Sequence, residues 1–207
     1  MAIINNLIKL KKTTKMIKIP ENIKALIFDC DGTLVDTMPL HMEAWRKAFE
    51  INGREFPHDF IDSLKGAPLL EIVQLYNEKF NDNLDPQKIG KAKKDFTHES
   101  IKKAKPIQIV VDVALKYKNV MPMSVASGGS EYNVHTSLNS VGILDLFSPV
   151  LTSKNKIPAK PNPDIFLECA KQMNVAPEDC LVFEDGDFGL EAAERAGMQS
   201  VDVRKYL

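Results

Sequence analysis

Two carboxylates one residue apart, Asp29 and Asp31, follow a short apolar run, Ala25 to Phe28, and are themselves followed by Gly32. Successive side chains of an extended chain point to opposite faces. Asp29 and Asp31, two positions apart, would share a face while the chain stays extended; a turn beyond Asp29, which Gly32 permits, lets Asp29 face a substrate while the carbonyl and carboxylate of Asp31 turn to other tasks. Three further polar groups recur in the second half: Ser127 with Gly128 and Gly129, Lys160 in Lys160-Pro161-Asn162-Pro163-Asp164, and the pair Glu184-Asp185 after Leu181-Val182-Phe183. A hydroxyl beside glycine N–H groups can cradle phosphate oxygens. A lysine fixed by flanking prolines supplies a cation, and the second acidic pair can join the first. Taken singly, each has an ordinary explanation: a turn, a plain loop, a solvated lysine, a helix-capping acid.

The elements that must position these groups follow from the apolar pattern. Ala25–Phe28 suits a strand buried on both faces, as in a parallel sheet. Ligands of open α/β sheets bind beyond the carboxyl ends of the strands, where Asp29 and Asp31 stand. The apolar spacing of Leu40, Ala44, Trp45, Ala48 and Phe49 predicts a helix ending near Gly53. Further helices are expected over Phe60–Leu64, Leu69–Phe80 and Pro86–Lys103, with no strand alternation between them. From Ile107 the pattern alternates: helix Ile107–Tyr117, strand Pro122–Ala126, helix Glu131–Val141 and strand Pro149–Leu151. It continues with a helix capped by Asn162 with Pro163 in its first turn, strand Leu181–Phe183, helix Gly189–Ala196 and strand Ser200–Val203. Such alternation implies a Rossmann-like, three-layer α/β/α core. The helical run interrupts it as an inserted all-helical domain. The expected organisation is a mobile lead-in over 1–18, a catalytic core over 19–36 and 106–207, and the insert over 37–105.

The 207 residues are 44% hydrophobic with a net charge of −1. That composition supports a sizeable core and gives no electrostatic case for nucleic acid or an acidic membrane surface. No apolar run reaches the length of a membrane span. Cys30, Cys169 and Cys180 are widely spaced and form no even disulfide set, so a reducing cytoplasm is the expected location. Cys30, between the two aspartates, reads as a buried small residue, not a nucleophile. The first 22 residues carry five lysines but no long apolar segment of a signal peptide.

The string Asp29-Cys-Asp31-Gly32-Thr33-Leu resembles the first motif of the haloacid-dehalogenase-like superfamily of phosphohydrolases. Ser127, Lys160 and Glu184-Asp185 match its later motifs in order, so the resemblance runs from Ile23 to Val203. It implies that Asp29 is the nucleophile, forming an aspartyl-phosphate, and that Asp31 is the general acid and base. Ser127, Gly128, Gly129 and Lys160 would hold the phosphate. It also implies Mg²⁺ as cofactor, bound by Asp29, the Asp31 carbonyl, Asp185 and Glu184 directly or through water. The insert occupies the position of a C1-type cap. Asp36-Thr37-Met38-Pro39-Leu40-His41-x-x-x-Trp45 looks like the hinge and first cap helix of the β-phosphoglucomutase-like branch, with His41 and Trp45 as cleft residues and Lys65 in a substrate loop, Leu64–Leu69. Mutases of that branch carry an arginine where this chain has Leu69, although Lys65, Lys93 or Lys94 could supply a cation instead. The C-terminal string from Val182 to Arg204 is similar to that of bacterial fructose-1-phosphate phosphatases. The resemblance thus implies a phosphatase acting on a small phosphorylated sugar, a monomer or weak dimer, with a mutase as the alternative. A phospho-acceptor signalling module, which also combines acids, Ser/Thr and Lys, is a more distant one. The Lys160–Pro161 bond is expected to be cis in a closed state.

Overall fold

The computed structural model describes residues 17–64 and 67–207. Strand β1 (Ala25–Phe28) is fully buried. Its alternation feeds two separate apolar clusters. Leu26 and Phe28 join Val125, Val134, Leu181 and Phe183 on one face, and Ala25 and Ile27 join Ala126, Phe166, Val182 and Ala192 on the other. A strand without a solvent face has no use for polar residues, which is why this segment reads as an unbroken apolar run.

β1 is central in a parallel sheet of order β5-β4-β1-β6-β7. Its other strands are β4 (Met123–Ala126), β5 (Val150–Leu151), β6 (Cys180–Glu184) and β7 (Gln199–Asp202). Helices α5 (Gln108–Tyr117) and α6 (Glu131–Ser140) cover the first face. Helices α7 (Asp164–Met173) and α8 (Asp187–Arg195) cover the second. The core is the expected three-layer α/β/α arrangement.

Among the described residues four helices are inserted after β1: α1 (Met38–Glu50), α2 (His58–Ser63), α3 (Leu69–Phe80) and α4 (Pro86–Ser100). They pack around their own cluster, built on Trp45, Phe49, Ile61, Val73, Tyr76 and Ile89. The entering and leaving chains pair with each other: β2 (Val35–Asp36) is antiparallel to β3 (Lys105–Pro106). Two-residue strands carry no periodicity, so this clasp is invisible in the sequence.

The sequence reading needs correction at α7. Asn162 does not cap it. The N-cap position is Pro163, and the Asn162 side-chain amide donates to the Ala159 carbonyl at 2.8 Å. The preceding turn takes the group that was expected to cap the helix. The Lys160–Pro161 bond is cis, as expected. Of the expected lead-in, residues 1–16 lie outside the described residues, while Ile17 is buried against the core. Among the described residues no helix is long and apolar enough to cross a membrane.

Candidate active site

Strand register builds the site. Phe28 pairs with Val125 on one side and Phe183 on the other. One residue further along lie Asp29, Ala126 and Glu184, a row across three strand ends. The Asp29 N–H continues the ladder by donating to the Phe183 carbonyl at 3.0 Å. The Lys160 ammonium spans the row, at 2.7 Å from Asp29 Oδ1, 3.0 Å from the Ala126 carbonyl and 2.6 Å from Glu184 Oε1. It also stands 5.0 Å from the centre of the Phe166 ring. Sequence-distant segments thus converge on one cation.

Two glycines make room for the acids. The chain after Asp31 folds back on itself, with Gly32 N–H donating to the Val35 carbonyl at 2.8 Å and Gly32 at φ +88°. A Cβ there would lie 2.3 Å from Asp185 Oδ2, so both backbone conformation and space call for glycine. At the start of α8, a Cβ on Gly189 would fall 1.9 Å from Glu184 Oε1. The other Glu184 oxygen accepts from the Gly186 N–H at 2.8 Å.

Asp29, Glu184 and Asp185 can each bring one oxygen within 4.8 Å of the others. Three hard oxygen donors at that spacing suit a small divalent cation such as Mg²⁺. Burial raises the Asp29 carboxyl well above its ordinary range; Lys160 opposes that shift, and Glu184 and Asp185 add to it. Burial also works against the Lys160 ammonium, but Asp29 and Glu184 outweigh it and keep the lysine charged. Asp185 is raised by burial, with the Thr33 hydroxyl resisting through a 2.9 Å hydrogen bond. Crowded, desolvated carboxylates beside one ammonium are short of positive charge, which is a further reason to expect a metal.

Asp31 behaves differently from Asp29. Burial alone would raise it, yet its carboxyl lies below the ordinary value. The Thr37 hydroxyl donates to its Oδ1 at 2.6 Å. The His41 ring, 3.9 Å away, is too far for a direct hydrogen bond but favours the carboxylate. His41 Nδ1 lies 3.1 Å from the Lys93 ammonium. Burial lowers Lys93 to about 8, although Asp31 pulls the other way. The insert thus reaches the core acids through the chain Lys93–His41–Asp31.

The remaining site residues are placed as follows. Ser127 is buried, and its hydroxyl accepts the Gly129 N–H at 3.0 Å. The Gly129 N–H thus braces its own loop. Gly128 lies between them in the loop. Trp45 is only 5% exposed and belongs to the apolar cluster of the insert; it meets the site through Lys93, whose ammonium is 5.8 Å from its ring centre. Lys65 lies outside the described residues. Cys30 is fully buried, with its thiol pushed well above the ordinary value by that burial, as a structural residue should be. Sequence reasoning missed the roles of Thr33 and Thr37. Both lie inside the recognised strings, but a hydroxyl has no spacing rule that names its partner.

Comparison with known proteins agrees with this geometry. A model of the haloacid dehalogenase-like hydrolase family matches residues 26–203. The chain is 35% identical over 184 residues to the fructose-1-phosphate phosphatase YqaB of Escherichia coli, covering 89% of this chain and 98% of that one. It is 30% identical over 191 residues to a β-phosphoglucomutase of Bacillus subtilis, covering 87% and 83%. The crystal structure of a β-phosphoglucomutase from Clostridium difficile superposes with a TM-score of 0.70 at 30% identity, over 86% of this chain and 83% of that one. With its paired strand-end acids, bridging lysine and helical insert, the chain belongs to the haloacid dehalogenase-like hydrolase family.

Proposed function

We propose that the protein is a Mg²⁺-dependent phosphatase of small sugar phosphates, of the hexose monophosphate type, working through an aspartyl-phosphate on Asp29. The observation that carries this reading is the meeting of Asp29, Glu184 and Lys160 within 2.7 Å contacts, with Asp185 beside them. Relatives named as phosphatases of fructose 1-phosphate, of phosphorylated carbohydrates and of 6-phosphogluconate support the substrate class.

Asp29, Asp185 and the Asp31 carbonyl would hold the cation, with Glu184 direct or through water. When bound, the cation offsets the charge of a phosphate dianion brought up to these acids. The chain's own groups do the rest. Asp29 attacks phosphorus as a carboxylate nucleophile. Asp31 gives a proton to the leaving alcohol and later takes one from the attacking water. Lys160 and Ser127 support the equatorial oxygens, where phosphoryl transfer needs electrostatic help. Acid–base help supplies only about 10²–10⁴-fold, so charge and positioning must supply most of the acceleration. Lys93 and His41 meet the leaving group from the insert, which acts as the cap.

The relatives named β-phosphoglucomutase favour a second reading, a mutase. Leu69 speaks against it. A bisphosphate turning over in two orientations needs a second cationic clamp, suited to a bidentate guanidinium, and Leu69 offers none. The deciding experiment is a screen of phosphorylated metabolites for phosphate release. It is paired with phosphorus NMR of glucose 1-phosphate plus catalytic glucose 1,6-bisphosphate. Inorganic phosphate is expected to accumulate; glucose 6-phosphate forming faster would assign the mutase.

A further inference from the structure

The carboxylates of the site are unequally reachable. Asp29 is 8% exposed and Glu184 3%, whereas Asp185 is half-buried. Asp185 also lines a cavity of about 620 Å³ beside the clasp of β2 and β3. Gly32, Asp36, Met38, Lys105 and Gln108 share its wall. The Thr33 hydroxyl holds Asp185 Oδ1, while Oδ2 faces the side-chain-free edge of Gly32.

We propose that this hinge-side cavity, and not the substrate cleft under the cap, is the route by which the divalent cation and its waters reach the acids. The inference rests on the metal-dependent reading above. On the cap side an incoming cation meets the ammonium of Lys93 beside His41. It then meets Lys160, which already covers Asp29 Oδ1 and Glu184 Oε1. Lys160 is thus already bonded to oxygens the cation would need, and a cation arriving there must displace a hydrogen-bonded ammonium. On the hinge side the path runs past the exposed Asp36 and ends at Asp185. Its one cation among the described residues, Lys105, is exposed on β3, where water and salt screen it. The clasp is also where the chain enters and leaves the cap, so its pairing need not break for the cap to move.

The test uses two substitutions on the cavity wall, outside the catalytic groups. Gln108 is exposed in the first turn of α5, where its amide meets only Asp112 at 2.7 Å; Gln108→Trp narrows the passage. Lys105→Glu reverses the charge at the rim. Mg²⁺-loaded enzyme is mixed in a stopped-flow instrument with excess fluorescent Mg²⁺ chelator to obtain the release rate. Equilibrium titration with the same chelator gives Kd, and the two together give the association rate. Gln108→Trp is expected to slow release and association together by about tenfold at an unchanged Kd. Lys105→Glu should speed association by about threefold. Unaltered rates in both variants, or a changed Kd with association unchanged, would overturn the hinge route. Absence of Mg²⁺ binding by the unaltered protein would instead overturn the metal-dependent reading, and the route with it.

Discussion

The strand-end site and the cap solve the same problem, placing charge near a phosphate, in opposite ways. In the core, Asp29, Ala126 and Glu184 are placed by backbone register, and one lysine bridges them with contacts of 2.6–3.0 Å. The backbone that carries those three residues cannot shift without breaking the sheet. In the cap, the reach toward Asp31 depends on side chains alone: Lys93 against His41, and His41 at 3.9 Å from Asp31. The cap has its own apolar cluster and joins the core through the short β2–β3 clasp. Rigid backbone placement suits the step common to every phosphate monoester. Movable side chains on a separately packed unit suit the choice of leaving group.

Substitutions that break this contrast should differ in size accordingly. The largest loss is expected from Asp29→Asn, which keeps the shape but removes the nucleophile. Phosphate release from a generic aryl phosphate should fall by roughly 10³-fold or more; retention of a tenth of the activity would end the nucleophile assignment. Chelation of divalent cations should abolish activity, with recovery on adding Mg²⁺; full activity in metal-free buffer would refute the dependence. Lys160→Met should lower kcat by about 10²–10³-fold on sugar and aryl phosphates alike, since it acts on the phosphate itself.

Cap changes should be smaller and selective. Lys93→Met is expected to raise KM for a hexose phosphate by about tenfold, the scale of one hydrogen bond to a charged group, while aryl phosphate turnover barely moves. Lys93 is charged below about 8 and neutral above it. In the unaltered enzyme, KM for sugar phosphates should therefore rise as pH passes upward through that value, and Lys93→Met should flatten this limb. Equal effects on both substrates would place Lys93 with the core groups. The smallest effect is expected from Leu69→Arg: a few-fold tighter binding of hexose bisphosphates relative to monophosphates, read by competitive inhibition.

Much of this was legible in the sequence where local rules are strong. The apolar run Ala25–Phe28 is β1, and Leu69–Phe80 is α3 to the residue. The acids and Ser127 stand at strand ends or loop starts as expected, while Lys160 lies in the turn that leads into α7. What failed did so where a side chain had two possible partners. Asn162 satisfied a turn instead of a helix end. Trp45 had the spacing of a helix face and an apparent place in the cleft, yet its ring is buried in the cap's own cluster.

The sequence alone determined the elements, the insertion point and the identity of the acids, because apolar period, glycine punctuation and motif order act over a few neighbouring residues. Only the tertiary structure decided the charge state and the reach of those groups. Asp29 and Asp31 are two residues apart and equally acidic in isolation. Burial beside Glu184 and Asp185 raises the first, while Thr37, His41 and Lys93 lower the second. Those partners come from as far as 156 residues along the chain, Asp185 relative to Asp29. Electrostatic energy depends on distance through space and on desolvation, and neither is fixed until the sheet, the clasp and the cap have closed around the site.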